Sequence, residues 1–363
     1  MFTIEMLPAS HGDSLWLEYG PKKKPYRILI DGGKDYSYKH LEARLEERLG
    51  SLPREKRVFE LLVITHIDSD HIGGVLEFLE ENPLDVTFRD IWFNGYHHLP
   101  ETPPDLLGPV QGERLTDLLV NGHQPWNAAL DGEAVAIPKL ATLPVVKLTG
   151  GLRLTVLSPT LQELHRLKPE WKKVVLEEGL VPGHPAVAKV DDDDRPSDLL
   201  GDGEPDPKRL AVSGFKEDTS KANGSSIGLL AEYRGKRCLL AGDAFPSVLA
   251  RSVATLAHQR RVETLPVDLL KVSHHGGRKN TSNELLQGIA CKRFLFSTDG
   301  SSFNHPHDES VGRAIMAGGT GSTLYFNYRS DVNERWDTFR LKREYGYEAV
   351  YPEPGTEGLV VEV

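Results

Sequence analysis

The sequence predicts a mixed α/β fold, and three observations indicate it. Short runs rich in branched and aromatic residues alternate with amphipathic segments in both halves of the chain. Some of these runs, such as residues 61–65, are apolar throughout, which is typical of strands that are buried on both faces. The chain has 363 residues, 39% of them hydrophobic, so it can bury the core of one large layered domain or of two smaller ones.

In the first half, three strand-like runs form a meander, and a helix with mixed charge follows them. The apolar run at 61–65 leads to a helical segment that is opened by Gly73 and Gly74 and stops at Asn82-Pro83, because proline cannot continue a helix. The predicted strands are residues 2–6, 14–19, 27–30, 61–65, 86–93 and 152–157, and the predicted helices are 38–49 and 75–81.

The second half alternates strands and helices again, after a segment of different composition. Residues from about 160 to 220 begin with a charged helix and continue with Asp, Pro, Gly and Ser, so we expect a flexible acidic insertion. Residues 1–322 are predicted to form one domain that contains this insertion, and residues 323–363 a C-terminal extension of strands. Between the insertion and the C-terminal extension, the predicted strands are 226–233, 237–240, 267–272 and 293–297, and the predicted helices are 246–258, 283–289 and 309–317.

Composition limits the location and the partners of the protein. No stretch is apolar enough to span a bilayer and the N-terminal residues do not resemble a secretion signal, so we expect no membrane association. The only cysteines, Cys238 and Cys291, stand in apolar runs, which favours reduced core residues and a cytoplasmic location. A net charge of −10 argues against a surface dedicated to wrapping nucleic acid, although bound cations would offset the carboxylates of a metal site.

The strongest functional signal is the run His66-Ile67-Asp68-Ser69-Asp70-His71. Its two imidazoles and two carboxylates come directly after a buried strand and before a glycine-opened helix. Such side chains can turn toward one pocket, and they would be costly neighbours without a cation. The run therefore predicts metal ligands at His66, Asp68, Asp70 and His71, and the alternative is a polar loop after a strand.

Three later positions are candidates to complete the site. Asp243 follows a predicted strand and is either a carboxylate that bridges two metals or a turn former. His274 and His275 also follow an apolar strand, and we expect at least one of them to be a ligand. His305 and His307 flank a proline that stiffens their loop, which suits metal ligands or proton donors to a leaving group.

These motifs together resemble the metallo-β-lactamase superfamily, and the likeness covers most of residues 1–318. The usual motif is His-x-His-x-Asp-His, and Asp68 replaces its second histidine here, as in the hydrolase domain of ComEC-type DNA-uptake proteins and in a phosphorylcholine esterase. The resemblance implies an αββα sandwich of two mixed sheets flanked by helices. Five further segments look like ComEC-type motifs in the same order: His11-Gly12-Asp13-Ser14, Ile30-Asp31-Gly32-Gly33, Gly242-Asp243, residues 270–276 and His305-Pro306-His307.

The resemblance also implies how two metals would be held. Asp31 would orient a ligating imidazole from behind. One departure concerns the first metal, because the superfamily usually supplies a histidine shortly before the bridging aspartate, whereas residues 211–242 contain none and Asn223 stands near that place. The first metal would then bind more weakly, exchange, or use His305 or His307. By the resemblance, His66 and Asp68 hold the first metal, Asp70 and His71 the second, Asp243 bridges them, and the pair His274 and His275 completes the second site.

These features predict a dinuclear metal-dependent hydrolase in which two divalent cations share a bridging hydroxide. Zinc is the favoured metal, and manganese is the alternative because three aspartates make the cage rich in oxygen. We expect a phosphodiester substrate such as nucleic acid, from the ComEC-type resemblance and from Lys271, Arg278 and Lys279 beside the paired histidines, where cations could contact phosphate. The alternative is a solvated basic patch, and Lys271 could also lie behind the metal ligands. The candidates for direct roles in the reaction are Asp70, His305 and His307.

Two alternatives remain at the level of the sequence. The first is a small-molecule hydrolase that acts on an ester, lactone or phosphoester with the same cage. The second is a metal-bound module without catalysis that binds partners, which the missing histidine before Asp243 would favour.

Overall fold

A computed structural model of the protein describes residues 1–100, 110–139, 142–177 and 204–363, with the backbone alone at residues 170 and 172–177. Among the described residues, the strands are β1 Phe2–Met6, β2 Leu15–Tyr19, β3 Tyr26–Ile30, β4 Val58–Phe59, β5 Leu61–Val63, β6 Thr87–Phe88, β7 Ile91–Trp92, β8 Val145–Lys147, β9 Arg153–Ser158, β10 Gly228–Tyr233, β11 Lys236–Leu240, β12 Leu265–Pro266, β13 Leu269–Lys271, β14 Ile289–Ala290, β15 Arg293–Phe296, β16 Ser322–Phe326, β17 Tyr347–Val350 and β18 Leu359–Glu362. The α-helices in the same ranges are α1 Tyr38–Leu49, α2 Ser69–Glu81, α3 Val110–Asn121, α4 Leu161–Glu177, α5 Pro207–Ala211, α6 Lys221–Gly224, α7 Pro246–Arg260, α8 Asn283–Gln287, α9 Asp308–Gly318 and α10 Phe339–Tyr345.

Two large sheets, each of mixed strand direction, organise the fold. The first has the strand order β18-β1-β2-β3-β5-β7, antiparallel from β18 to β3 and parallel from β3 to β7. The second has the order β17-β16-β15-β13-β11-β10-β9-β8, parallel from β17 to β11 and antiparallel from β11 to β8. The short pairs β4-β6 and β12-β14 stand apart from both sheets.

Alternating side chains of the first sheet divide the core into layers. In β2, Leu15 and Leu17 pack toward the second sheet, where they share a cluster with residues such as Leu239, whereas Trp16 packs with the helices on the outer face. Helices α1 to α4 contribute apolar residues to that outer cluster, and α7, α8 and α9 cover the second sheet. The predicted α/β arrangement of two mixed sheets flanked by helices, an αββα sandwich, is confirmed.

The sequence misjudged several element boundaries. Helix α2 begins at Ser69, six residues before the predicted start, so part of the histidine and aspartate run lies in its first turn. The single strand predicted at 86–93 is two short strands, because β6 pairs with β4 and β7 pairs with β5. The strand predicted at 267–272 is shorter in the structure, where β13 covers Leu269–Lys271 and a separate short strand, β12, precedes it.

The C-terminal segment belongs to both sheets. The predicted boundary at 322/323 falls inside β16, which pairs in parallel with β15. Helix α10 follows, β17 then pairs with β16, and β18 returns to the first sheet beside β1. Residues 323–363 therefore complete the two-sheet domain and are not an extension of strands alone.

The predicted acidic insertion at about 160–220 lies partly outside the described residues, which omit 178–203 and with them the run of four aspartates. Its described ends are structured: α4 packs on the outer cluster, and α5 packs against α9 through Gly312. In the described parts of the chain, we find no helix whose length and hydropathy would let it cross a membrane.

Candidate metal centre

The histidine and aspartate run connects the end of β5 to the start of α2. Asp68 precedes the first helical residue in extended backbone, so Asp70 and His71 lie in the first turn of the helix. Two glycines let the surrounding backbone approach closely: a Cβ on Gly12 would lie 1.9 Å from the Asp70 carbonyl oxygen, and one on Gly74 would lie 2.1 Å from the Gly32 carbonyl oxygen.

The second sheet supplies the remaining side chains from the ends of two neighbouring parallel strands. Asp243 follows β11, and the turn Ser273–Gly276 follows β13. Within that turn, His274 and His275 have φ of +48° and +55°, a region that residues other than glycine seldom adopt. This strained backbone directs two consecutive imidazoles toward the same carboxylate.

The carboxylate of Asp243 lies at the centre of the cluster. Its Oδ2 is 3.8 Å from His66 Nε2, 3.3 Å from His71 Nε2, and 3.7 Å from the Nε2 atoms of both His274 and His275. Ligands of a tetrahedral ion with bonds of about 2.0–2.1 Å are separated by roughly 3.3 Å, so these spacings suit shared coordination.

The two remaining carboxylates divide the cluster into two groups. Asp68 Oδ2 lies 3.4 Å from His66 Nε2. Asp70 Oδ2 lies 3.4 Å from His275 Nε2 and 3.9 Å from His71 Nε2. One group therefore contains His66 and Asp68, the other contains Asp70, His71 and His275, and Asp243 lies between them.

Hydrogen bonds behind the imidazoles orient all four toward Asp243. His71 Nδ1 is 2.8 Å from Asp31 Oδ2, and His66 Nδ1 is 3.0 Å from Thr65 Oγ1, whose own hydroxyl donates to Asp31. His275 Nδ1 faces the Ser297 carbonyl oxygen at 3.0 Å, and His274 Nδ1 faces Asn280 Oδ1 at 2.9 Å. Because each Nδ1 donates to an acceptor, each Nε2 presents a lone pair to the centre.

Several of these inward atoms have no hydrogen-bond partner within the described part of the chain, although they are buried. They are His66 Nε2, His71 Nε2, His275 Nε2 and Asp243 Oδ1. Buried polar atoms without partners are rare and require an explanation. Imidazole nitrogens and carboxylate oxygens are ligands that divalent cations accept, so the residues present fit a metal centre.

The electrostatics of the cluster also favour a cation. Burial alone would raise the pKa of Asp243, but His71, His274 and His275 hold that pKa well below its ordinary value. Burial opposes charge on His71 as well, yet neighbouring carboxylates, led by Asp243, raise its pKa well above the ordinary value. Carboxylates also raise the pKa of His275 to about 9 against the effect of burial. The carboxylates thus attract positive charge, which bound divalent cations would supply in place of protons.

His274 occupies a place that the sequence left uncertain. No histidine precedes Asp243 in the second sheet, but His274 Nε2 approaches Asp243 Oδ2, and its ring lies 5.0 Å from that of His305. Both paired histidines face the centre, so one can serve each metal position.

A polar network missed by the sequence analysis supports His274. Asp218 Oδ2 accepts hydrogen bonds from Asn280 Nδ2 at 3.0 Å and from Asn223 Nδ2 at 2.6 Å, and lies 3.9 Å from His274 Nδ1. Asn223, which the sequence placed near the first metal, therefore belongs to the layer behind His274. Asp218 fell within the segment predicted to be flexible, and no local motif marked it or Asn280.

His305 and His307 lie beside the cluster. His305 is buried, and burial holds its pKa well below the ordinary value. Burial also lowers the pKa of His307 to about 4, and His307 Nδ1 accepts a hydrogen bond from the backbone N–H of Arg278. Both rings are therefore neutral at neutral pH.

The sequence left two roles open for Lys271, a place behind the metal ligands or a contact with substrate phosphate, and its surroundings favour the first. Its side chain is fully buried, and its ammonium pairs with the carboxylate of Asp13. Asp13 Oδ1 in turn lies 3.5 Å from His275 Nδ1, so Lys271 acts behind the cluster and does not reach a substrate. Arg278 and Lys279 do line a cavity of about 230 Å³ together with His274, His305 and His307.

Comparisons with known proteins concern the fold alone. No protein-family model matches the sequence, and no curated protein matches it either. Among solved structures, the metallo-β-lactamase fold protein YhfI from Bacillus subtilis is 11% identical, with a TM-score of 0.41 over 100% of this chain and 99% of that one. Zinc-bound PqqB from Methylobacterium extorquens is 12% identical, with a TM-score of 0.41 over the whole of both chains. A variant of the β-hydroxylase CmlA is 10% identical, with a TM-score of 0.42 over 100% of this chain and 54% of that one.

Proposed function

We propose that this protein is a dinuclear metal-dependent phosphodiesterase. The observation that carries the proposal is the convergence of four Nδ1-anchored imidazoles on the buried carboxylate of Asp243. Such a cluster needs cations, and bound divalent cations supply Lewis acidity and lower the pKa of water toward neutrality. The first metal position would be held by His66, Asp68, His274 and Asp243, and the second by Asp70, His71, His275 and Asp243.

Burial and exposure distinguish the two sides of this cluster. The side chains of His66 and His71 are fully buried, whereas Asp68 is 41% exposed and His274 25% exposed. Substrate would therefore approach from the exposed side of Asp68 and His274, and His274 also lines the cavity of about 230 Å³.

Two positively charged side chains, those of Arg278 and Lys279, line this cavity and favour a phosphate-containing substrate. The guanidinium of Arg278 can donate paired hydrogen bonds to phosphate oxygens, and Lys279 adds a second positive charge. An ester or lactone without a phosphate would not use these side chains, so the phosphodiester is favoured over the small carboxylic ester.

The neutral histidines have a defined part in this proposal. A neutral imidazole can donate a hydrogen bond through one ring nitrogen, and His305 is the histidine of this pair that packs against His274. We assign His305 to hydrogen-bonding a phosphate oxygen and His307 to holding the backbone of Arg278 in place.

Zinc is the expected metal because four of the seven ligands are imidazoles, and manganese is the alternative.

The test is hydrolysis of bis(p-nitrophenyl) phosphate and of labelled single-stranded DNA after loading with Zn²⁺ or Mn²⁺. We expect metal-dependent cleavage that falls at least about 100-fold in Asp70→Ala, because a metal ligand is lost. The matched control is Glu47→Ala, which removes a 65% exposed carboxylate on α1 and should leave the rate unchanged.

The other outcomes of this test separate the alternatives. A metal-loaded protein that cleaves neither phosphodiester but hydrolyses p-nitrophenyl acetate or a lactone would make it a small-ester hydrolase. A metal-loaded protein without any of these activities would make it a binding module.

A further inference from the structure

The cavity beside the candidate metal centre is lined by an aromatic side chain as well as by the two positively charged side chains. Phe303 lines the same cavity as Arg278 and Lys279. Its side chain is 47% exposed, although large aromatic residues are usually well buried. An exposed aromatic ring next to a catalytic centre is available to stack on a ligand.

The backbone around Phe303 supports a functional role. Phe303 and Asn304 have φ of +55° and +52°, so two consecutive residues other than glycine adopt the left-handed region. Backbone of this kind is unfavourable and is concentrated at ligand-binding and catalytic sites. Here it connects the exposed ring directly to the buried His305.

The rings of this region form a continuous series from the metal cluster outward. The centroid of the Phe303 ring lies 5.8 Å from that of His305, which lies 5.0 Å from that of His274. A phosphate group bound beside His274 would therefore have the His305 ring between it and the Phe303 ring.

The charged side chains around the cavity indicate which class of ligand it binds. An aromatic side chain alone would also attract a quaternary ammonium group through its π face. Arg278 and Lys279 would repel such a head group. Of the nearby carboxylates, Glu309 lies 3.8 Å from Arg278, and Asp218 is occupied by hydrogen bonds from Asn223 and Asn280. An anionic ligand with a planar ring suits both features.

We propose that Phe303, Arg278 and Lys279 form a nucleotide subsite, in which Phe303 stacks on a nucleobase and the two cations bind the neighbouring phosphate groups. This inference rests on the proposed phosphodiesterase function and narrows its substrates to nucleoside phosphodiesters.

The experiment compares two substrates with the same leaving group, p-nitrophenyl thymidine 5′-phosphate and ethyl p-nitrophenyl phosphate, on the zinc-loaded protein. We expect kcat/KM to favour the thymidine ester about tenfold, mainly through KM, because one base stack is worth roughly that factor. Phe303→Leu should reduce this preference about tenfold, and Phe303→Tyr should retain it because the ring remains. The control Phe339→Leu changes a 75% exposed phenylalanine on α10 and should not affect the preference.

Each outcome has a clear meaning. A preference that survives in Phe303→Leu, or a wild-type protein with no preference, would overturn the subsite and leave the phosphodiesterase intact. A wild-type protein that hydrolyses neither ester, whether it is loaded with Zn²⁺ or with Mn²⁺, would overturn the phosphodiesterase function and the subsite with it.

Discussion

Asp218 does not face the cluster, but it holds the residues that orient His274. Its carboxylate accepts hydrogen bonds from Asn223 of α6 and from Asn280, whose own Oδ1 accepts a hydrogen bond from His274 Nδ1. Removing such a partner leaves an imidazole free to rotate, and outer hydrogen bonds of this kind typically contribute 10- to 100-fold to metal affinity.

We therefore predict that Asp218→Ala lowers the affinity for the metal at the first position, which His274 would help to hold, about 10- to 100-fold. The measurement is competition with a chromophoric chelator, which reports affinity without any turnover. Glu217→Ala is the matched control, since the neighbouring Glu217 binds Ser247 at the start of α7 and does not contact the histidines. Equal affinities in the two variants would contradict the assigned role of Asp218.

The buried pair of Lys271 and Asp13 makes a second prediction at the scale of residues. Lys271→Met removes the ammonium that pairs with the buried carboxylate of Asp13, so we expect the free energy of unfolding to fall by about 3–5 kcal/mol. Urea denaturation of the metal-free protein measures it. Asp13→Asn added to Lys271→Met should recover part of the loss because the remaining charge is removed, and no recovery would argue against an ion pair.

At the scale of elements, the approach of α2 to the segment after β3 depends on glycine. Alanine at position 74 would place its Cβ 2.1 Å from the backbone oxygen of Gly32, so one of the two segments must move. The better helix propensity of alanine, about 1 kcal/mol, does not offset this clash. We predict that Gly74→Ala lowers stability by about 1–3 kcal/mol and also lowers metal content.

The check is thermal denaturation together with elemental analysis. Gly214→Ala is the control, because a Cβ there meets nothing within 4 Å. A Gly74→Ala protein with the stability and metal content of the wild type would show that this close approach is not required.

The elements also show what local sequence can and cannot predict. Residues 66–71 were identifiable because their ligands are consecutive and follow an apolar strand. Asp218 was not, because its neighbours resemble a flexible linker and its contact with Lys279 is a backbone hydrogen bond formed only in the fold. The sequence could not decide between the two roles of Lys271, because its partner, Asp13, is far away along the chain.

At the scale of the whole molecule, the residues of the candidate metal centre come from both sheets. His66 and His71 follow β5 of the first sheet, whereas Asp243 and the paired histidines follow β11 and β13 of the second. The backbone makes one link at the same place, from Ile227 N to the Thr65 carbonyl oxygen at 2.9 Å. Metals bound there would hold the sheets together.

We predict that removal of metal with EDTA lowers the melting temperature by on the order of 5 °C, since a ligand that binds only the folded state stabilises it. Differential scanning calorimetry measures the shift, and restoring Zn²⁺ should reverse it. A melting temperature that EDTA leaves unchanged in a protein shown to contain metal would contradict a centre that joins the sheets.

The most direct test of the central claim is the number of zinc ions bound per chain, measured by native mass spectrometry on the wild type and on Asp243→Asn. We predict two ions in the wild type and fewer than two in the variant, because Asp243 is shared by both positions. A wild type that binds no zinc or manganese, or a variant that keeps two ions with unchanged affinity, would contradict the assignment of a dinuclear centre around Asp243.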